Sequence, residues 1–209
     1  VGKAQYTVCV SADHGVAEIP EFMQENKLAG GRVFMGQVTD KLNADLREKY
    51  GISKLIVSDE NYQFHLNHPA IDSAGLDAEE LMDRVVKKME NEPGIARVFP
   101  LDELNETPLP ETIRDMLNNG FYPPRNGDIQ VILKPGHIDA YGYTGTTHGL
   151  WNPYDTHIPL LWYGWGIKKG MTNRETYMTD IAPTLAALLK IQVPNGSVGK
   201  VIEEVLDRE

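Results

Sequence analysis

The run Asp128-Ile129-Gln130-Val131-Ile132-Leu133-Lys134 constrains this chain more than any other segment. Apart from Gln130 its centre, Ile129–Leu133, is apolar without alternation, so a strand here needs hydrophobic cover on both faces. Further strands are predicted over Gln5–Ser11, Gly31–Gly36, Lys54–Ser58 leading into Tyr62–Leu66, Ala96–Pro100 and Ile158–Tyr163. Helical patterns fall between them, over Pro20–Asn26, Val38–Tyr50, Ala78–Asn91, Pro110–Asn119 and Thr179–Leu189. In Ala78–Asn91, Leu81, Val85 and Met89 share one face and Asp83, Lys87 and Lys88 lie opposite. In Thr179–Leu189, Thr179 reads as the N-cap, Asp180 suits the positive first turn, and Pro183 falls early enough to be tolerated. Strands alternating with helices predict an α/β sheet with helices on its faces. The stretch from about Val38 to Asn119 has βαβ-like spacing and carries no chemical motif. It reads as an α+β subdomain inserted into a single domain spanning residues 1–209. Cys9 and Trp162, inside strands, read as core residues.

Composition narrows the function. Twenty basic against thirty acidic side chains give a net charge of -10, with no basic stripe to follow a nucleic-acid duplex. No apolar stretch approaches the ~18 residues of a transmembrane segment. A lone cysteine, Cys9, excludes both an internal disulfide and a cysteine-rich zinc module. The chain opens at Val1 with neither Met nor a signal-peptide pattern and enters a strand within a few residues. We therefore expect a fragment of a longer chain.

Two segments carry chemistry. Ser11-Ala12-Asp13-His14-Gly15 directly follows the first strand, and ligands of open α/β sheets sit at the carboxyl ends of strands. A carboxylate and an imidazole are both good zinc ligands, and Gly15 permits the sharp turn that would aim adjacent residues at one ion. The second segment, Tyr141-Gly142-Tyr143-Thr144-Gly145-Thr146-Thr147-His148-Gly149, precedes Asn152-Pro153-Tyr154-Asp155-Thr156-His157 and a strand ending in Tyr163-Gly164. Taken singly, each has an ordinary explanation: an Asp capping a helix, or loop hydroxyls satisfying backbone groups.

Their fixed order, followed by Thr179-Asp180-Ile181-Ala182-Pro183-Thr184-Leu185, resembles the alkaline phosphatase superfamily. It is most similar to the single-chain bacterial alkaline phosphatases related to type I phosphodiesterases and nucleotide pyrophosphatases. The motifs occupy the first 15 residues and about 128–196, and the discriminating piece is Thr144-Gly145-Thr146-Thr147-His148-Gly149 with Tyr154-Asp155-Thr156-His157-Ile158-Pro159. The resemblance implies the carboxyl-terminal portion of an αβα sandwich and a two-zinc phosphate-ester hydrolase. Two zinc ions in such enzymes clamp the attacking and leaving oxygens, and a Thr or Ser nucleophile forms a covalent phospho-enzyme. It further implies Asp13 and His14 as ligands of the nucleophile-side zinc and His148 as a ligand of the other. Periplasmic or cell-surface location also follows from the resemblance.

The departures set limits. The family pattern requires a further Asp, the nucleophile and an Asp-x-x-x-His pair, all upstream of Asp-His-Gly, and no Asp-x-x-x-His occurs here. The catalytic nucleophile is thus expected upstream of Val1, in the remainder of the chain's own polypeptide. This chain alone is expected to be inactive and to bind zinc weakly or not at all, since affinity needs a filled shell. His157 and His137 are secondary candidates for contact with the phosphate-ester substrate, and His157 is also the alternative to His148 as a ligand. His65 and His68 read as solvated, and Trp151 as a wall of a leaving-group pocket. A sulfatase-like hydrolase and a non-catalytic binding domain with a degenerate metal site are the competing readings.

Overall fold

A computed structural model describes Gly2 and residues 5–206, as a mixed α/β structure. Its strands are β1 (Thr7–Ser11), β2 (Gly31–Val33), β3 (Ile56–Ser58), β4 (Gln63–Leu66), β5 (Ile95–Pro100), β6 (Ile129–Leu133), β7 (His137–Asp139) and β8 (Leu160–Gly164). The α-helices are α1 (Pro20–Glu25), α2 (Met35–Tyr50), α3 (His68–Ala74), α4 (Ala78–Met89), α5 (Glu111–Gly120), α6 (Pro153–Thr156) and α7 (Ile181–Leu189). The chain divides into two compact units, residues 14–157 and residues 1–13 with 158–209.

In the larger unit, β6 is buried along its whole length, as its unbroken apolar run requires. It sits inside a four-stranded sheet of order β3-β4-β6-β5, every pairing antiparallel. Ile129, Val131 and Leu133 join one core with Val38, Leu42 and Leu46 of α2, Ile71 of α3 and Leu81, Val85 and Met89 of α4. Ile132 joins a second core with Phe99, Leu101 and Leu104, against which Ile113 and Leu117 of α5 pack. Helices thus cover both faces, and alternate residues of one strand serve two cores. Gln130 is buried but satisfied: its amide donates to the Tyr62 carbonyl at 3.0 Å and its oxygen accepts from Gln63 at 3.1 Å.

The βαβ-like reading of the middle does not hold, because its strands pair antiparallel. Among the described residues the one parallel pairing is β2 with β7, and residues 34–136 form the crossover between them. The strand expected over Gly31–Gly36 stops at Val33, and α2 begins at Met35. His68 opens α3 after Asn67 accepts a capping bond from the Ala70 amide. It is not simply solvated, for its Nε2 lies 2.6 Å from Asp128 Oδ1.

In the smaller unit, β1 and β8 form an antiparallel ribbon. Val8 opposite Tyr163 and Val10 opposite Leu161 place four large apolar side chains on one exposed face. Cys9 and Trp162, paired on the other face, are half-buried rather than core, and burial pushes the Cys9 thiol up. Thr179 is not an N-cap: it lies in a 3-10 turn, Met178–Asp180, that leads into α7. The Asp180 carboxylate instead accepts from the Tyr177 amide at 3.0 Å and the Lys200 amide at 2.7 Å. Thr184 donates to the Asp180 carbonyl at 2.6 Å and accepts from the Ile202 amide at 2.9 Å. The Asp and Thr of Asp180-Ile181-Ala182-Pro183-Thr184 therefore clip α7 to the segment 200–202.

Candidate active site

Gly15 organises the site in the larger unit. A Cβ there would sit 2.0 Å from the Tyr154 carbonyl oxygen, so only glycine lets the two backbones approach this closely. The approach is used: the Gly15 amide donates to the Asp155 carbonyl at 2.7 Å. Next along, the Ala17 amide donates to the Thr147 carbonyl at 3.3 Å, and the Thr146 hydroxyl donates to the Ala17 carbonyl at 2.6 Å. These bonds stitch residues 15–17 onto the loop 146–155, and the histidines beside the seam come together. The His14 and His148 rings stack with centroids 3.4 Å apart and planes inclined by 12°.

Metal ligation uses a neutral imidazole with a lone pair on one ring nitrogen. His14 Nδ1 lies 2.6 Å from the Gly15 carbonyl oxygen, which can only accept. A hydrogen on Nδ1 would be donated to that oxygen and would leave Nε2 as the ligating nitrogen, the arrangement a second partner imposes on metal-ligating histidines. The donor types of Asp13, His14 and His148 fit zinc in this respect. Asp13 directly precedes His14 in the chain and belongs to the smaller unit. Among the described residues, no three His, Cys, Asp or Glu side chains are grouped so as to hold a metal ion.

The loop after His148 is fixed by Asp155, which is only 3% exposed and whose Oδ2 accepts from the Leu150 amide at 2.9 Å. Its Oδ1 is buried with no hydrogen-bond partner among the described residues. His157, the C-cap of α6, is exposed, and His137 pairs with Gly31 in the β2–β7 ladder, with Nδ1 3.2 Å from the Pro135 carbonyl. Neither lines the cavity at His148 described next. Trp151 does not line it either; it packs against both cores.

A cavity of about 450 Å³ opens beside His148, and its lining was missed by the sequence reading. Phe34, Tyr62 and Tyr141 contribute rings to it, and Asp59, Glu60 and Asp139 contribute carboxylates. The Asp139 Oδ1 accepts from the Met35 amide at 3.2 Å and Asp59 Oδ2 accepts from the Thr39 hydroxyl at 2.5 Å. Burial raises the Asp139 carboxyl, and the nearby Asp59 and Glu60 charges push the same way. Burial, followed by the charge of Asp139, pushes the Tyr62 phenol up to about 12. Asn61 and Tyr62 both take left-handed backbone conformations, at φ 56° and 60°, uncommon for residues other than glycine.

Known proteins match along nearly the whole chain. It is 44% identical over 208 residues to alkaline phosphatase PafA of Elizabethkingia meningoseptica, covering all of this chain and 38% of that protein. A solved crystal structure of wild-type PafA superposes with a TM-score of 0.92 at 43% identity, over 99% of this chain and 39% of that one. Along its length the chain is thus similar to part of an alkaline phosphatase. Alkaline phosphatase PhoV of Synechococcus elongatus is 37% identical over 207 residues, 99% of this chain and 37% of that protein. A protein of Myroides odoratus named calcium-transporting ATPase is 40% identical over 212 residues, all of this chain and 38% of its own length. The chain thus spans less than two fifths of these relatives. No family model matches it. The mixed α/β fold is that of PafA over the matched length.

Proposed function

We propose that this chain is the carboxyl-terminal part of a two-zinc phosphate-ester hydrolase of the alkaline phosphatase type. The observation that carries the reading is the His14–His148 stack, held by the backbone seam at Gly15, in a chain so similar to alkaline phosphatases. Asp13 and His14 would hold one zinc and His148 the other. Bound zinc would supply Lewis-acid polarisation of phosphoryl oxygens and lower the pKa of a hydroxyl ligand. The chain's own residues prepare that role: the Gly15 carbonyl would accept from His14 Nδ1 and leave Nε2 for the metal, and the Asp155 carboxylate holds the turn that carries His148.

The Thr or Ser nucleophile and the remaining ligands belong, in this reading, to the rest of a longer polypeptide, so this chain alone is inactive. The β1–β8 ribbon supports a need for that remainder. A two-stranded ribbon is marginal by itself, and this one exposes Val8, Val10, Leu161 and Tyr163 together. Among the described residues no helix is long and apolar enough to cross a membrane. We place the intact enzyme in the periplasm or at the cell surface by analogy with similar enzymes.

The test uses the full-length protein. Turnover of an aryl phosphate monoester and the matching diester should depend on zinc, and Asp13→Ala should lower it about 10- to 100-fold or more. The ratio of the two rates assigns monoester or diester preference. Full activity in Asp13→Ala would remove the metal assignment.

A further inference from the structure

The cavity beside His148 has walls of two kinds. Phe34 and Tyr62 are half-buried rings, and Asp59, Glu60 and Asp139 stand around them with no lysine or arginine in the lining. Burial comes first in raising Asp139 and Tyr62; the Asp59 and Glu60 charges add to it at Asp139, and the Asp139 charge adds to it at Tyr62. The three carboxylates are not grouped to hold a metal ion. At about 450 Å³ the space suits an organic group rather than a bare ion. Aromatic faces combined with dispersed carboxylates are the surroundings that bind ammonium groups, through cation–π attraction and long-range charge.

We propose that this cavity binds the organic-ammonium end of the alcohol in a phosphate ester, so that the preferred substrates are phosphate esters of cationic alcohols. This rests on the hydrolase reading above. His148 lies in the same lining, so the phosphoryl group would meet the metal-ligating histidines while the cationic tail extends toward Phe34 and Glu60. Hydrolysis breaks the P–O bond to the alcohol and forms one from water oxygen. One water proton ends on the alcohol oxygen and the other on the aqueous phosphate pool. The fixed backbone at Asn61 and Tyr62 holds one wall: the Tyr62 carbonyl accepts from the buried Gln130 amide.

The experiment compares phosphocholine with its neutral isostere, 3,3-dimethylbutyl phosphate, on the zinc-loaded full-length protein. The kcat/KM ratio should favour the cation by about tenfold, the scale of a partly desolvated cation–π contact plus a screened ion pair. Glu60→Gln and Asp59→Asn should each lower that ratio several-fold. Glu106→Gln, which removes an exposed charge outside the cavity, should leave it unchanged. A ratio near one with good turnover of phenyl phosphate overturns the cavity assignment and leaves the hydrolase standing. Failure to turn over any phosphate ester, phenyl phosphate included, overturns the hydrolase reading and the substrate preference with it. Calorimetric titration with choline tests the cavity without turnover: binding weakened by Glu60→Gln supports it, and no binding overturns it.

Discussion

Replacing Gly15 by alanine tests the seam on which the site depends. The added Cβ would lie 2.0 Å from the Tyr154 carbonyl oxygen and 3.0 Å from its carbon, and both are backbone atoms that cannot swing aside. The two segments must separate by more than an ångström to reach ordinary van der Waals contact. That motion breaks the 2.7 Å bond from Gly15 to Asp155 and strains the Ala17–Thr147 and Thr146–Ala17 bonds beside it. At about 1 kcal/mol net for each hydrogen bond, the loss is about 1–3 kcal/mol, depending on how many of the three survive. The same motion pulls the His14 ring from the His148 ring, so zinc affinity should fall about tenfold or more.

The assay is denaturant unfolding together with zinc titration of full-length Gly15→Ala. Gly120→Ala is the control: it ends α5, a Cβ there meets nothing within 4 Å, and alanine favours the helix. Its stability should change by less than about 1 kcal/mol, toward greater stability. A Gly15→Ala protein with parental stability and parental zinc affinity would show that the close approach is absent. Lost stability with unchanged zinc affinity would refute the link from seam to metal.

Three further outcomes follow from the same structure. Asp155→Ala strands the buried Leu150 amide and should cost about 2–3 kcal/mol in chemical denaturation, whereas Asp155→Asn retains an acceptor and should cost less than about 1 kcal/mol. The Arg32 guanidinium, which donates twice to Glu21, holds that carboxyl down at about 2 against an ordinary 4.5. Its stabilising effect is complete above the ordinary value and is lost as pH falls toward about 2, so denaturation midpoints of the parent and Glu21→Gln should differ at pH ~6 and converge near pH ~2. Asp139 is shifted the other way: its folded form holds the proton more tightly, so its contribution is greatest in acid and is lost as pH rises through the folded value. Asp139→Asn keeps an oxygen for the Met35 amide and should gain stability relative to the parent between pH ~4 and pH ~7; a relative loss on going up in pH would refute the sign.

What the sequence made legible follows the range of the interaction involved. Strand β6 was readable because burial on both faces is written into consecutive residues, and α4 because Leu81, Val85 and Met89 repeat at the helical period. Strand β7 carries no such pattern in three residues; it is a strand because Gly31–Val33, about a hundred residues earlier, lies alongside it. Asp180 looked like a dipole-favoured first-turn acid, but its carboxylate is committed to the Lys200 amide, twenty residues on. His14 and His148 were legible as residue types in glycine-flanked loops, while their pairing depends on a backbone contact that the sequence marks only with Gly15. The cavity was hidden more deeply. Asp59-Glu60-Asn61 falls between two predicted strands in a stretch without a chemical motif, and a left-handed conformation at Tyr62, a bulky residue, is not written in the sequence. Such conformations persist only where the surroundings over-determine them, here through the buried Gln130 amide on the Tyr62 carbonyl. Strained turns of this kind cluster at ligand clamps and active sites, so the turn at the cavity wall directs mutagenesis to residues 59–62 before the acids elsewhere on the surface.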